Sequence, residues 1–325
     1  MSLTAVILAA GQSTRMKSKR PKPLHDICGR PMLEYILRAC WDAGCSRVIV
    51  VVGYGKEEVI ARFGKDSRIT WVEQAERKGT GHAVQVCIPE LQKLQGEVLI
   101  VAGDVPLVRG DVLKALLKAH RDEQVTASMA TALLDDPTGY GRIVRDAQGE
   151  FTEIREHIDC SPEQRQIREV FPSIYCVRVQ ELIWSLGQLK NDNKKREFYL
   201  TDIFRHLRGD GKRVLALQVL AAEDMLAPNS RQELSQADAL MQQRIMRGLR
   251  DSGVTIVSTE NTCIEDGVSI GQDSVVYPFS FIGKDATIGD NCTIGPFAMV
   301  PRGSVLAAGS IVAGNINAGT AALES

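Results

Sequence analysis

The sequence predicts an α/β domain built on a mostly parallel sheet, followed by a short parallel β-helix. Two observations carry this. Continuous apolar runs of strand length alternate with amphipathic helical segments through the first part of the chain. Near the end, an aliphatic residue recurs at every sixth position. At 325 residues the chain also exceeds one ordinary core, so two domains are expected.

The elements follow in order. "TAVILAA" is continuous, apolar and ended by Gly11, which reads as a strand buried on both faces. "PMLEYILRACWDAG" places Leu33, Ile36, Leu37, Cys40 and Trp41 at helical spacing and stops at Gly44. "RVIVVVG" and "EVLIVAGD" are further buried strands, "DVLKALLKAHR" an amphipathic helix with Asp111 as its expected N-cap, and "VTASMATALL" another strand. Such alternation means βαβ units and a Rossmann-like sheet, whose ligands bind beyond the carboxyl ends of the strands. Gly11 and Asp104 both lie at such ends.

Residues 1–228 are therefore expected to form the α/β domain. "SRQELSQADALMQQRIMRGLRDSG" carries Leu234, Ala237, Met241 and Ile245 on one face, with Ser230 able to cap it and Gly253 able to end it. It is expected to be a linker helix over residues 229–252. Residues 253–325 have another grammar. Ile264, Ile270, Val276, Ile282, Ile288, Ile294, Val300, Leu306 and Val312 are six apart, and small residues stand four positions beyond most of them, at Ser274, Ser280, Ala286, Cys292, Ala298, Ser304 and Ser310. Stacked aliphatics with small residues at the turns make a hexapeptide β-helix of about three coils.

Composition narrows the function classes. A net charge of −1 gives the whole molecule no electrostatic reason to bind nucleic acid or an anionic membrane. The 8 cysteines form no C-x-x-C pair, so reduced thiols in a cytoplasmic protein are expected. No apolar run has the length of a membrane span, and the N-terminus lacks the marks of a signal peptide.

Against that neutral background, "AVILAAGQSTRMKSKRPKPLH" crowds Arg15, Lys17, Lys19, Arg20 and Lys22 behind a glycine turn. Neither the Walker loop pattern nor G-x-G-x-x-G is present. What remains is a strand, a turn whose backbone N–H groups can approach an oxyanion, and cations to close the site around a triphosphate. Lys17 and Lys19 read equally well as a solvated loop.

The same stretch resembles the signature of the sugar-nucleotide pyrophosphorylases, in which L-A-A-G-x-G-T-R-M precedes a P-K pair. "EQAERKGTGHA", "AGDVPL", "DDPTGYGRIVRD", "REHID", "EFYLTDI" and "PNSRQELS" are similar, in order, to blocks of the bacterial N-acetylglucosamine-1-phosphate uridylyltransferases within that family. The resemblance implies a nucleotidyltransferase domain and a left-handed β-helix. It implies that Leu8, Ala10 and Gly11, with the loop to Arg15, hold UTP, and that Arg15 and Lys22 are the catalytic cations. Gln74 would pair with the uracil edge, with Gly79 and Thr80 lining the base pocket. Asp104 and Asn229 would bind Mg²⁺, hard oxygen ligands that suit this ion. Gly141, Glu156, Tyr199 and Thr201 would face the sugar. The β-helix would allow a homotrimer.

Three departures from the family pattern bear on function. Ser13 replaces a glycine near the phosphates. Phe171-Pro172-Ser173 replaces Asn-Thr-Gly, removing an amide that contacts the sugar. None of the five histidines falls in the repeat, so acetyl transfer, which longer relatives perform on a longer β-helix, is expected to be absent. UTP and a sugar 1-phosphate, most simply N-acetylglucosamine 1-phosphate, are the expected substrates. A pyrophosphorylase for another sugar or nucleotide is the alternative, and a non-catalytic nucleotide-binding scaffold a remoter one. A glycosyltransferase would want an Asp-x-Asp pair where "AGDVPL" has one Asp.

Overall fold

The computed structural model describes residues 3–12, 14–193 and 195–314; Ser13 and the end of the expected β-helix region, 315–325, lie outside them. Two units are formed, one from the chain up to His25 with Pro31–Glu233, the other from Asp26–Arg30 with the chain from Leu234 on.

In the first unit the described strands are β1 (Leu3–Leu8), β2 (Cys45–Val52), β3 (Ile69–Glu73), β4 (Glu97–Ala102), β5 (Ala127–Leu133), β6 (Gly141–Arg145), β7 (Phe151–Arg155), β8 (Glu169–Phe171), β9 (Ile174–Arg178) and β10 (Val214–Gln218). Their order is β3-β2-β1-β4-β9-β5-β8-β6-β7, with β10 beside β5. β1 lies between β2 and β4, both parallel to it, which is the α/β half the sequence predicts. Successive residues face opposite cores: Ala5 and Ile7 join helices Met32–Asp42 and Gly110–Asp122, while Val6 joins helices Thr80–Gln85 and Val179–Leu186. Both faces are covered, so these strands read as unbroken apolar runs.

The other half of the sheet is mostly antiparallel, with β10 alone running parallel to β5. β9 runs against β4, pairing Ile174 with Val101, and the Ala102 amide donates to the Ser173 carbonyl at 3.0 Å. β8 pairs Phe171 with Gly141 on β6. This reversal of direction returns Gly141 and Phe171–Ser173 to the carboxyl ends of β1 and β4. Hydrophobic periodicity alone did not delimit these short strands.

Helix boundaries agree with the sequence except at one cap. The Ser230 hydroxyl accepts from the Glu233 amide at 3.2 Å, and Gly44 has φ +96° beyond its helix. Asp111, the expected N-cap, lies inside the first turn; Arg109 holds the cap position with extended backbone. The helix starts one residue before Asp111, at Gly110, leaving its carboxylate to complement the positive end of the helix dipole.

In the second unit, helix Arg231–Asp251 contributes Met246 and Leu249 to the β-helix core from Leu234 on. Paired strands are 18 residues apart, Ile264 with Ile282 and Ile282 with Val300, as three hexapeptides per coil require. The anchors from Ile264 to Val300 are buried, as are Ser274, Ser280, Ala286, Cys292 and Ala298 at the turns. All 8 cysteines are free thiols.

Candidate active site

Three clefts of the first unit meet at one side chain. Asp104, just beyond β4, lines a cleft with Leu8, Gly11, Lys22 and Asn229. It also lines a second with Ala10, Gln74, Gly79 and Thr80, and a third with Gly141, Glu156, Phe171 and Thr201. The third adjoins a further cleft through Glu156 and Thr201, where Tyr199 lies. All the residues expected at the site except Arg15 thus line connected clefts at the carboxyl edge of the sheet.

Local structure explains each position. Gly11 follows β1, and a methyl group built on it would meet no protein atom within 4 Å, so the space beside its Cα is open to the cleft. Lys22 begins a short 3₁₀ turn with Pro23 and Leu24 buried beneath it. Its ammonium donates to Asp104 Oδ2 at 2.7 Å and to Asn229 Oδ1 at 2.8 Å. Its side chain is only 9% exposed, so this cation is held rather than solvated. Arg15 is different: it sits exposed on the turn Thr14–Met16, anchored through buried Met16, and lines none of these clefts.

Metal binding can be tested on the donor set. No cluster of three His, Cys, Asp or Glu among the described residues is arranged to hold an ion. One ammonium nevertheless bridges the Asp104 carboxylate and the Asn229 amide oxygen, placing both within reach of one small cation. Two hard oxygens completed by ligand phosphates are the usual protein contribution to Mg²⁺, so the residues fit.

In the second cleft, Gln74 follows β3 and its backbone N–H donates to the Val52 carbonyl at 2.8 Å. Gly79 has φ +105°, and a Cβ there would stand 2.6 Å from the Phe198 carbonyl oxygen, so the turn requires glycine. The Thr80 hydroxyl accepts from the Leu200 amide at 3.2 Å.

The third cleft is the least polar at Phe171. Its ring stacks on Tyr175 and meets Phe204 edge-on, so the residue replacing the family amide is a member of the core that also borders the cleft. Ser173 adopts φ +61°, the left-handed region where the family has glycine. Burial pushes the Glu156 carboxyl above its usual range, against the lowering effects of Lys195 and the Thr201 hydroxyl, which donates to Glu156 Oε1 at 3.5 Å. The buried Tyr199 hydroxyl has no partner among the described residues, and burial raises its pKa.

Sequence reasoning missed Tyr140, Met225 and Ala227, which line the third cleft, and Arg77, which lines the second and donates to Gln12 at 2.7 Å. Tyr140 and Arg77 stand inside blocks already singled out, "DDPTGYGRIVRD" and "EQAERKGTGHA"; Met225 and Ala227 carry no local signal.

Comparison with known proteins is consistent with this arrangement. The profile of MobA-like NTP transferase domains matches residues 5–198, and that of bacterial transferase hexapeptides (six repeats) matches residues 267–302. The chain is 43% identical over 294 residues to the bifunctional protein GlmU of Brevibacillus brevis, covering 90% of this chain and 63% of that one. It is 41% identical over 293 residues to the bifunctional protein GlmU of Pelobacter propionicus, covering 90% and 64%. The chain thus spans less than two thirds of the length of these relatives. A crystal structure of UDP-glucose pyrophosphorylase complexed with UDP-glucose superposes with a TM-score of 0.61 at 20% identity, covering 75% of this chain and 100% of that one. That likeness concerns the fold.

Proposed function

The chain belongs to the family of MobA-like NTP transferase domains, and on that basis we propose that it transfers a uridylyl group from UTP to N-acetylglucosamine 1-phosphate. The products are UDP-N-acetylglucosamine and pyrophosphate. The observation that carries this reading is the position of Asp104 at the junction of three clefts, with Lys22 held against it at 2.7 Å.

The sugar phosphate oxygen attacks the α-phosphorus of UTP as the bond from that phosphorus to the bridging oxygen breaks, and pyrophosphate leaves with the electron pair. No covalent enzyme intermediate is needed. Gly11 offers its backbone to the phosphates, Lys22 neutralises their charge, and Arg15, which lines none of the clefts, is proposed as a second cation for them. Leu8 and Ala10 flank the nucleotide, Gln74 receives the uracil edge, and Gly79 and Thr80 wall the base. Gly141, Glu156, Tyr199 and Thr201 orient the sugar. Asp104 and Asn229 would hold Mg²⁺, which when bound would supply charge stabilisation at the α-phosphate under attack. Positioning and electrostatics carry the rate.

A second reading has its own support. Phe171 offers the sugar no hydrogen bond, which favours a sugar 1-phosphate with an apolar group at that point. The test is pyrophosphate release with Mg²⁺, UTP and a panel of sugar 1-phosphates. Turnover with N-acetylglucosamine 1-phosphate is expected; turnover with another sugar alone would move the specificity to the second reading, and no turnover would reject both.

A cytoplasmic location is part of the proposal; no helix among the described residues is long and apolar enough to cross a membrane. Homotrimer formation through the β-helix is part of the proposal. Met299, Val305 and Ile311 are each at least 74% exposed on its outer faces, an arrangement that favours burial against other copies. Light scattering after gel filtration reads the state directly.

A further inference from the structure

Gln74 is almost wholly buried, so its amide must be satisfied in place. Its Nε2 lies 3.0 Å from the Gly79 carbonyl oxygen and 3.1 Å from His82 Nδ1. A carbonyl oxygen only accepts, so the nitrogen end must face Gly79; the flipped amide would set two oxygens against each other. The second N–H then points at His82 Nδ1. That ring atom must be an acceptor, which puts the imidazole proton on Nε2. Both amide hydrogens are thereby consumed. Among the described residues nothing donates to Gln74 Oε1, and Gln74 lines the cleft with Gly79 and Thr80.

We infer that His82 is a positioning residue for nucleobase selection: by accepting from Gln74 it holds the amide with oxygen toward the cleft, so the site takes bases that present an N–H donor at this edge. Uracil carries hydrogen on N3 and supplies that donor. Cytosine has a bare lone pair on N3 and would face the Oε1 lone pairs. The inference rests on the proposed binding of a pyrimidine nucleotide in this cleft. It adds a residue that does not touch the base, and a reason why its tautomer matters.

His82 lies on the helix Thr80–Gln85 and is part of no core cluster among the described residues. Ala83 and Val84 beside it belong to one such cluster, so substitution at His82 is expected to leave their packing in place. Asn carries an oxygen at the position of Nδ1 and keeps the acceptor, whereas Phe keeps the shape and removes it.

The experiment is calorimetric titration of the full chain with UTP and with CTP, in Mg²⁺ and without sugar phosphate, for wild type, His82→Phe and His82→Asn. Wild type is expected to prefer UTP. His82→Phe should cut the UTP-to-CTP affinity ratio by about tenfold or more, the cost of one unsatisfied buried polar group. His82→Asn should restore most of it. A ratio unchanged in His82→Phe, with both affinities falling together, would reduce His82 to a structural role and overturn the inference. Equal affinity of wild type for the two nucleotides would overturn it as well. Retained preference for UTP in an enzyme that turns over no sugar phosphate would reject the proposed reaction and leave the inference standing. Nitrogen-15 NMR of the imidazole, assigned by loss of its signals in His82→Asn, gives a second readout. A protonated Nδ1 at neutral pH would overturn the proposal whatever the titrations show.

Discussion

The rings of Phe171 and Tyr175 are stacked, with centroids 4.9 Å apart and planes at 21°. Tyr175 is 1% exposed and meets Phe204 at 5.3 Å, so Phe171 is tied into an aromatic core from behind while it borders the cleft in front. Core packing and the cleft wall are joined in one residue. Phe171→Ala should lower stability by ~3–5 kcal/mol, the usual range for emptying a buried aromatic site. Urea unfolding measures this, and a loss below about 1 kcal/mol would mean that the ring is not part of the core.

Of the two cations expected at the site, Lys22 is the one held in place. Lys22→Met removes the charge and keeps much of the stem, and it should lower pyrophosphate release by roughly 10²-fold or more. Near-UV circular dichroism should stay unchanged. Near-wild-type turnover in this variant would exclude Lys22 from charge neutralisation.

Glu156 makes a pH prediction with a definite sign. Burial raises its pKa in the folded state. A raised carboxyl gives stability that is fully present below its unfolded value, about 4.3, and is lost as pH climbs through the folded value. Glu156→Gln escapes that loss. The variant should therefore gain on wild type as pH rises from 4 to 7, read as the difference between their urea midpoints. A difference independent of pH would show that the carboxyl is not burdened by its burial.

The β-helix predicts a uniform response along its anchors. Ile282 is fully buried and its strand pairs with neighbours above and below. Ile282→Ala should destabilise the second unit by ~2–5 kcal/mol, seen as faster hydrogen exchange at the amides of residues 264–300. Exchange confined to one coil would instead show that the coils open independently.

Much of the fold was legible in the sequence, because both of its periods are local. A strand covered on two faces must be apolar without interruption, which marks β1, β2 and β4. A coil of three hexapeptides must return an aliphatic residue to its interior every six positions, which marks Ile264 to Val300. The antiparallel half was not legible for the converse reason. Strands of three to five residues such as β6 to β8 are too short to display a period, and their partners are chosen by the sheet already formed.

Residue types at the site were likewise readable in place: the glycine turn, the cations behind it, the acid after a strand. Their convergence was not. Lys22 meets Asp104 across 82 residues and Asn229 across 207, distances at which no local signal survives. Packing of the whole unit decides those contacts. It also decides that Arg15 stays exposed while Lys22 is held, that Asp111 sits inside its helix, and that Phe171 stacks into the core. The His82 proton is fixed in the same way. Its neighbours Gln74 and Gly79 are close in sequence, but only the left-handed turn at Gly79 aims their polar atoms at one another and leaves a single way to satisfy them. Sequence supplied the donors and acceptors, and the closure of the chain in three dimensions chose their partners, because hydrogen bonds depend on position and direction that composition and spacing do not carry.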